Sequence, residues 1–337
     1  MPIVSVKEAR KVAGEVLRRA GAPAANADLQ RDLLIEAELR GLASHGLLRL
    51  PRIIERIANG VADPRTSGRH EWRAPGFLQV DGQMGLGPVV AMKAIEVARR
   101  RAREHGVAVA AISNSNHIGM LAFYAEHVAA DGQIMIALST SEALVHPWGG
   151  RRAMIGTNPI AFGIPTETGP YIADTATGHV AMGKIHDHAN RDEPIPLGWA
   201  LDIDGNPTTD PHRAKKGAIA PFGGAKGYAL GLSFELLVSA LTGAALGRDV
   251  RGTLDSTDIC NKGDVFIIID SPGAGLAAYL DLLRAEPPAE GFDAVRLPEE
   301  RSQASRQRNL ENGLEIPNEI WARINHLAFG KDHKNEE

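Results

Sequence analysis

The sequence predicts an α/β protein in two lobes: a helical lobe drawn from both ends of the chain, and a central lobe in which strands and helices alternate. Three observations lead there. Residues 1 to about 74 carry apolar side chains at helical spacing, strand-like runs begin at Gly76 and recur as far as Ile269, and after Glu286 strand character is lost and the chain closes on a helix. Residues 1–74 with 286–337 are therefore assigned to the helical lobe and 75–285 to a central α/β lobe.

In chain order, Ser5 and Glu8 form a capping box, and Ala9, Val12, Ala13, Val16 and Leu17 follow at helical spacing until Gly21. A second helix is expected from about Asn26 to Leu39, with Leu29, Leu33, Leu34 and Ala37 inward, and a third after Gly46, with Pro51 tolerated in its first turn. Ser44-His45-Gly46 thus falls at a junction between helices. Phe77 to Gly82 reads as a strand, and Pro88 opens a helix whose closing cations, Arg99, Arg100, Arg101 and Arg103, suit the negative end of its dipole. Val107 to Ile112, Ile134 to Leu138, Ile160 to Pro165 and Val265 to Ile269 read as further strands. Polar turns follow several of them, at Asn114 to Gly119, Ser139 to Ser141, Gly156 to Pro159 and Asp174 to Gly178; such turns leave backbone amides free for a ligand. Residues 186 to 215 read as an exposed excursion, Tyr228 to Leu241 as a strongly apolar helix, and a last helix begins at Pro317 with Trp321, Ile324 and Leu327 inward.

Composition narrows the function. With 337 residues there is ample core for two folding units, and 44% apolar and 23% charged residues are ordinary for a soluble globular protein. Lys and Arg number 37 against 41 Asp and Glu, a net charge of −4, which gives no electrostatic footprint for nucleic acid or an anionic membrane. The single cysteine, Cys260, rules out an intrachain disulfide framework and fits a reducing compartment. No uncharged stretch approaches the length of a membrane span, and the N-terminal segment lacks a signal-peptide pattern. A cytoplasmic protein is expected.

His45 and Arg49 carry the chemistry. On a helix, residues four apart share a face at about 5–6 Å between Cβ atoms. Arginine grips a carboxylate with two parallel hydrogen bonds, and histidine exchanges a proton near neutral pH. The pair suits a small substrate bearing a carboxylate beside a carbonyl or hydroxyl carbon. His117 stands in a Gly-bearing turn, and Lys184 and Lys226, each beside a glycine, offer cations next to exposed amides, as nucleotide phosphates require. Together these features favour an enzyme for an anionic substrate and an anionic cofactor.

Three other motifs carry less. Gly273-Ala274-Gly275-Leu276-Ala277-Ala278 matches a dinucleotide fingerprint, but the acid-tipped second strand due about 20 residues later would fall among Glu286-Pro287-Pro288-Ala289-Glu290. Gly41 to Gly46 is one residue too long for a serine-hydrolase elbow and follows a helix. His186-Asp187-His188 would share a face in a strand, but no third ligand accompanies it and no metal is expected.

Taken in order along the chain, Ser44-His45-Gly46 with Arg49, Ser115-Asn116-His117-Ile118-Gly119, Pro147 with Gly149-Gly150, Gly156-Thr157-Asn158-Pro159, Asp174-Thr175-Ala176-Thr177, Gly183-Lys184, Gly223-Gly224 with Lys226-Gly227, and Leu297-Pro298 resemble the motifs of the malate/L-lactate dehydrogenase family. That family also holds ureidoglycolate and sulfolactate dehydrogenases, diketogulonate reductase and the cyclic imino acid reductases. The resemblance covers nearly the whole chain. It implies an NAD(P)-dependent oxidoreductase, usually dimeric, with a mixed, largely antiparallel non-Rossmann fold that holds cofactor and substrate between lobes. It also implies roles. His45 would give a proton to the carbonyl oxygen, with Ser44 as its hydrogen-bonding partner and Arg49 as the carboxylate clamp; His117 is the second candidate for the proton. The turn His117, Ile118, Gly119, Met120 and Leu121 resembles a cofactor contact, as do Ser141, Asp174, Thr175, Ala176, Lys184 and Lys226, while Thr157 would lie near the substrate.

Gly178 and Glu299 depart from the family pattern, which more often has Ser and Gly there. Lys184 stands where the imino acid reductases carry an acidic relay residue, which favours the hydroxy-acid branch. The expectation is a homodimeric dehydrogenase interconverting a malate- or lactate-like 2-hydroxy acid and its 2-keto acid with NAD, NADP being the alternative. A cyclic imino acid reductase and a non-catalytic nucleotide-binding protein are the other readings.

Overall fold

The computed structural model describes residues 2–271 and 275–330. Strand β1 (Ile3–Val4) leads into α1 (Val6–Arg19), which Ser5 caps by accepting the Glu8 N–H, and then α2 (Ala24–Leu39). Two single 3-10 turns, Ala43–His45 and Leu47–Arg49, precede α3 (Leu50–Ala58), and β2 (Arg69–Ala74), β3 (Phe77–Gly85), α4 (Gly87–His105), β4 (Val107–Ser115), α5 (Ala122–Ala130) and β5 (Ile134–Ser139) follow. Next come β6 (Ile160–Ile164), β7 (Tyr171–Thr175), α6 (Met182–Asn190), a ribbon of β8 (Ala200–Leu201) and β9 (Ala218–Ile219) around α7 (Pro211–Ala214), and the long α8 (Ala225–Thr242). The chain closes with β10 (Asp264–Ile269), α9 (Leu276–Ala285), α10 (Glu300–Asn312), β11 (Leu314–Glu315) and α11 (Asn318–Phe329).

Among the described residues the main sheet has seven strands in the order β2-β3-β4-β10-β5-β6-β7, antiparallel throughout except for the parallel pair β3 and β4. It is the mixed, largely antiparallel, non-Rossmann sheet that was expected. Alternation along β10 shows how it is covered: Phe266 and Ile268 face the core shared with α4 and α5, while Val265 and Ile267 face Val238 of α8. A second core joins the two chain ends, where Val12, Leu17, Leu34, Leu39, Leu47 and Leu50 meet Ile324 and Ala328 of α11.

Several expectations need correction. Residues 1 to 74 are not all helical: β1 pairs with β11, and β2 is the edge strand of the main sheet. β2 escaped notice because an edge strand buries little; Arg69-His70-Glu71-Trp72-Arg73-Ala74 hides Trp72 only partly, beneath the Arg101 guanidinium 4.5 Å away. The polar turn expected at Asp174 to Gly178 begins inside β7, and the excursion expected at 186 to 215 begins inside α6. His186 and His188 therefore sit two apart on a helix and point to different faces.

The Gly-rich run at 273–278 lies partly outside the described residues. Its described end opens α9, where the Glu167 carboxylate accepts the N–H groups of Gly275 and Ala277, in the place a phosphate would take in a Rossmann turn. β10 is also antiparallel to both of its neighbours.

Candidate active site

The helix expected directly after Gly46 is the main local surprise. Glu38 of α2 fills the space it would need: its Oε1 accepts the Leu47 N–H at 2.6 Å, and a Cβ on Gly46 would lie 2.3 Å from that oxygen. The segment breaks into two 3-10 turns, so His45 and Arg49 do not share an α-helical face. They are brought together instead by Arg49 folding back, its Nε donating to the Ser44 carbonyl at 2.8 Å. Leu47 and Leu50, fully buried in the terminal core, anchor the turn.

A second turn, between β4 and α5, meets the first. The rings of His45 and His117 stand 5.5 Å apart, tilted by 33°. Asn116 holds this turn: its Nδ2 donates to the Met84 and Gly85 carbonyls at 2.7 and 3.1 Å, and its Oδ1 accepts Arg56 Nε at 2.8 Å. Between the turns lies a pocket whose polar lining includes His45, Arg49, Arg52, His117 and Thr253, against apolar walls from Leu33, Leu34 and Ile53.

The two imidazoles differ in their Nδ1 partners. His45 Nδ1 faces the Ser44 hydroxyl at 3.0 Å, a group that both donates and accepts. His117 Nδ1 accepts the Gly119 N–H at 3.1 Å, so neutral His117 carries its proton on Nε2. Only glycine serves at 119, because φ is 72° there and a Cβ would lie 2.2 Å from Leu33 Cδ2.

Burial, and then the Arg49 charge, bring His45 down to about 4. Burial, then Arg49, then His45 hold His117 well below the usual histidine range. Both rings are neutral at pH 7. Burial and Arg52 lower Arg49 to about 10 against the opposing pull of Glu142, so it stays a cation. Arg49 Nη1 donates to the Thr253 carbonyl at 3.0 Å, while Nη2 has no partner among the described residues. Neutral bases beside an unpaired guanidinium can hold a carboxylate and move a proton.

The remaining motif residues fall into two groups. Ser141 Oγ accepts the Thr157 N–H at 2.9 Å and lies 3.1 Å from the Thr157 hydroxyl. Buried Glu235 of α8 supports that turn from behind by accepting Gly156 N–H, Asn158 Nδ2 and Gly247 N–H. Thr175, Ala176, Lys184 and Lys226 are exposed and available. Others are turned away from solvent: Ile118, Met120 and Leu121 bury their side chains and offer only backbone, and the Asp174 carboxylate caps α5 by accepting the Ala122 N–H at 2.7 Å. Burial raises Asp174 to about 6.

The fit to an anionic dinucleotide is best at the start of α8. Gly223 and Gly224 adopt φ of 58° and 64°, and among the described residues no side chain caps the first turn of this 18-residue helix and Lys226 has no hydrogen bond or ion pair. Free N–H groups at the positive end of a helix beside a lysine fit a pyrophosphate. Gly183, at the start of α6, lies alongside the 43–49 turn, its Cβ position 3.8 Å from Ser44 Cβ. Sequence reasoning missed Glu38, Arg52, Arg56, Glu142 and Thr253. For the two arginines a signal existed: Arg49, Arg52 and Arg56 are spaced i, i+3, i+7, a single helical face.

The family model for malate/L-lactate dehydrogenase matches residues 4–325. The chain belongs to the malate/L-lactate dehydrogenase family. Its relatives within that family include the (2R)-3-sulfolactate dehydrogenase (NADP(+)) of Chromohalobacter salexigens, 36% identical over 98% of this chain and 99% of the relative. They also include a Delta(1)-pyrroline-2-carboxylate/Delta(1)-piperideine-2-carboxylate reductase of Pseudomonas aeruginosa, 34% identical over 93% of this chain and 96% of the relative. The crystal structure of a dehydrogenase from Sinorhizobium meliloti matches with a TM-score of 0.93 at 51% identity, over 97% of this chain and 98% of that one. Membership in the malate/L-lactate dehydrogenase family makes the protein an NAD(P)-dependent oxidoreductase. Among the described residues no helix is long and apolar enough to cross a membrane, and no group of three or more His, Cys, Asp or Glu is placed to hold a metal ion.

Proposed function

We propose that this dehydrogenase interconverts a small 2-hydroxy acid and its 2-keto acid, with His45 as the proton carrier, Arg49 as the carboxylate clamp and His117 as a fixed hydrogen-bond donor. The observation that carries the reading is the pairing, in one pocket, of a Ser44-backed His45 with an Arg49 that has no carboxylate partner among the described residues. NAD is the proposed cofactor, with NADP the alternative; when bound, it supplies or takes the hydride at C2, so two electrons pass between it and the acid. The proton balance belongs to the protein.

Arg49 fixes the substrate carboxylate, which aims C2 and its oxygen at the two rings. In the oxidation direction neutral His45 takes the hydroxyl proton on Nε2 and becomes imidazolium. Ser44 follows the change, since its hydroxyl can serve Nδ1 in either protonation state. His117 cannot make the same cycle: its imidazolium would aim Nδ1–H at the Gly119 N–H that now donates to it. It therefore stays neutral and donates Nε2–H to the substrate oxygen. In the reduction direction the arriving carboxylate offsets the Arg49 charge and raises the His45 pKa, which favours the protonated ring that gives its proton to the substrate oxygen.

Two further readings complete the proposal. The protein acts in the cytoplasm, which its lone, buried Cys260 fits. It works as a homodimer, and the uncharged stripe of Leu230, Leu236 and Leu237 exposed along α8 supports a second copy packing there.

The experiment compares His45→Ala and His117→Asn with the unsubstituted enzyme on a panel of 2-keto acids. His45→Ala is expected to lower kcat by about 10²–10⁴-fold with cofactor affinity retained, and His117→Asn, which keeps a donor, by much less. Loss of turnover in His117→Asn with turnover retained in His45→Ala would reverse the two roles.

A further inference from the structure

We infer that Glu142 is a positioning residue for the reaction: it ties the substrate clamp Arg49 to the turn that carries Ser141, so that cofactor and substrate bind cooperatively through it. The inference rests on the 2-hydroxy acid reading and adds to it a residue that does not line the pocket.

Two bonds aim Arg49. Its Nε donates to the Ser44 carbonyl at 2.8 Å and its Nη1 to the Thr253 carbonyl at 3.0 Å, and because a guanidinium is planar these two points fix the direction of Nη2. The first point belongs to the 43–49 turn itself. The second belongs to a loop far along the chain, and Glu142 holds it. Glu142 Oε1 accepts the Thr253 N–H at 2.9 Å, the Thr253 hydroxyl at 3.0 Å and the Leu254 N–H at 2.8 Å, and none of these donors has another acceptor among the described residues. The rest of the loop is locked separately. The Asp255 carboxylate accepts the N–H groups of Gly252, Thr257 and Asp258 at 3.0, 2.8 and 2.7 Å, and the Asp255 carbonyl accepts Arg56 Nη1 at 2.9 Å. Thr253 and Leu254 are the part that depends on Glu142.

On its other side Glu142 continues the turn after β5. The Thr140 N–H donates to the Gly263 carbonyl and the Gly263 N–H to Thr140 Oγ1, each at 3.0 Å, which fixes the turn to the start of β10. Ser141 Oγ accepts the Thr157 N–H at 2.9 Å, and its hydroxyl donates to the Glu142 carbonyl at 3.2 Å. One chain of bonds therefore runs from Ser141, the cofactor contact that the family resemblance implies, through Glu142 and Thr253 to Arg49, Ser44 and His45. A ligand that orders one end of such a chain leaves less ordering for the second ligand to do, and linkage makes the gain mutual.

Two other roles fit Glu142 less well. It lines an open cleft with Arg151, Arg152, Lys216 and Arg248, yet it forms no ion pair with them among the described residues, and its Oε1 is spent on the 253–254 backbone. Its charge favours the Arg49 cation, but Arg49, at about 10, is charged at neutral pH, so what the site requires is the placement of the fork. Reach therefore matters more than charge.

The test uses Glu142→Gln, which keeps the length and an acceptor oxygen without the charge, and Glu142→Asp, which keeps the charge and is one methylene too short. Titration calorimetry gives the affinity of oxamate with and without NADH and of NADH with and without oxamate, and initial rates are measured with pyruvate and oxaloacetate. In the unsubstituted enzyme each ligand should tighten the other by the same factor, about tenfold or more. Glu142→Asp should reduce that factor below about threefold and raise KM for the 2-keto acids about 10–100-fold, with kcat changed far less and the affinity for NADH alone retained, the signature of lost ground-state binding. Glu142→Gln should keep both quantities within about threefold of the unsubstituted enzyme, since its amide oxygen accepts the same donors. Rescue by Asp in place of Gln would assign the effect to charge, and an intact coupling factor in Glu142→Asp, or an equal loss of NADH affinity, would make Glu142 a structural residue only. Each of these results overturns the inference and leaves the 2-hydroxy acid reading standing, as does an unsubstituted enzyme that binds both ligands without coupling. Failure of the unsubstituted enzyme to bind oxamate or to turn over either acid would bring down both.

Discussion

His45 and His117 share a pocket and a depressed pKa, yet one hydrogen bond separates their chemistry: Ser44 tolerates either protonation state of its neighbour, and the Gly119 N–H does not. Arg49 has a double duty at the same scale, since the Nε that ties it to Ser44 also sets the direction of its Nη2, which has no partner among the described residues. Arg49→Lys should raise the substrate KM at least tenfold in steady-state kinetics, because an ammonium reproduces neither the fork nor the tie to Ser44. An unchanged KM would remove Arg49 from the substrate. The His45 value of about 4 also predicts a stability profile. Its folded pKa lies below the unfolded value of about 6.5, so the unfolded chain binds the extra proton first as pH falls. The contribution is intact above about pH 6.5 and is lost as pH drops through about 4, a change on the order of 3 kcal/mol. His45→Gln should flatten that acid limb in melting curves taken from pH 7 to 4. Ser44, His45, Arg49 and His117 could be proposed from the sequence because their residue types name the chemistry they can do, and the structure brings them together. Arg52 could not, because a lone arginine in a sequence reads as solvated, and Asp174 was legible as a motif while its capping bond to Ala122 was not.

Among the elements, the turn at 43–49 shows how a side chain overrides local pattern. Glu38 is raised to about 7, mainly by burial, with the Leu47 N–H opposing the shift. Because its folded pKa lies above the unfolded one, its contribution is present below about pH 4.5 and is lost as pH rises through 7. Glu38→Gln, which can still accept the Leu47 N–H, should therefore stabilise the protein by about 1–3 kcal/mol at pH 8 and have little effect at pH 4. Thermal melts at the two pH values check this, and equal shifts at both would contradict it. The α8 helix offers a second lesson. Its apolar run made the element easy to read, but hydrophobicity alone does not give its orientation: Gly227, Gly231, Glu235, Val238 and Thr242 are buried, Leu232, Phe234 and Leu241 pack partly against the core, and Leu230, Leu236 and Leu237 are out. The reason is the close approach at Gly231, where a Cβ would lie 2.8 Å from Thr177 Oγ1, together with the anchoring bonds of Glu235. Charge placed on the leucine face, as in Leu236→Glu with Leu237→Lys, should leave the fold intact and shift sedimentation from dimer to monomer. An unchanged sedimentation coefficient would place any interface elsewhere.

For the molecule as a whole, the α/β class and the alternation of the central region were legible because buried strands such as Val265 to Ile269 announce themselves. The assembly of the site was not. It depends on bonds between segments far apart in sequence, Arg56 to Asn116 and Arg49 to the Thr253 carbonyl, and no local periodicity encodes them. Nor does a single sequence show that β10 enters between β4 and β5, which puts the 253–258 loop against α3. The central claim is that one imidazole in this composite pocket titrates during turnover and the other is fixed. Nitrogen-15 NMR of the histidine side chains, recorded from pH 8 to 4 with and without the 2-keto acid mimic oxamate, tests it most directly. The account predicts His117 as the unvarying Nε2–H tautomer throughout, and His45 titrating near 4 in the free protein and distinctly higher with oxamate bound. A His117 that titrates while His45 stays unmoved would contradict it.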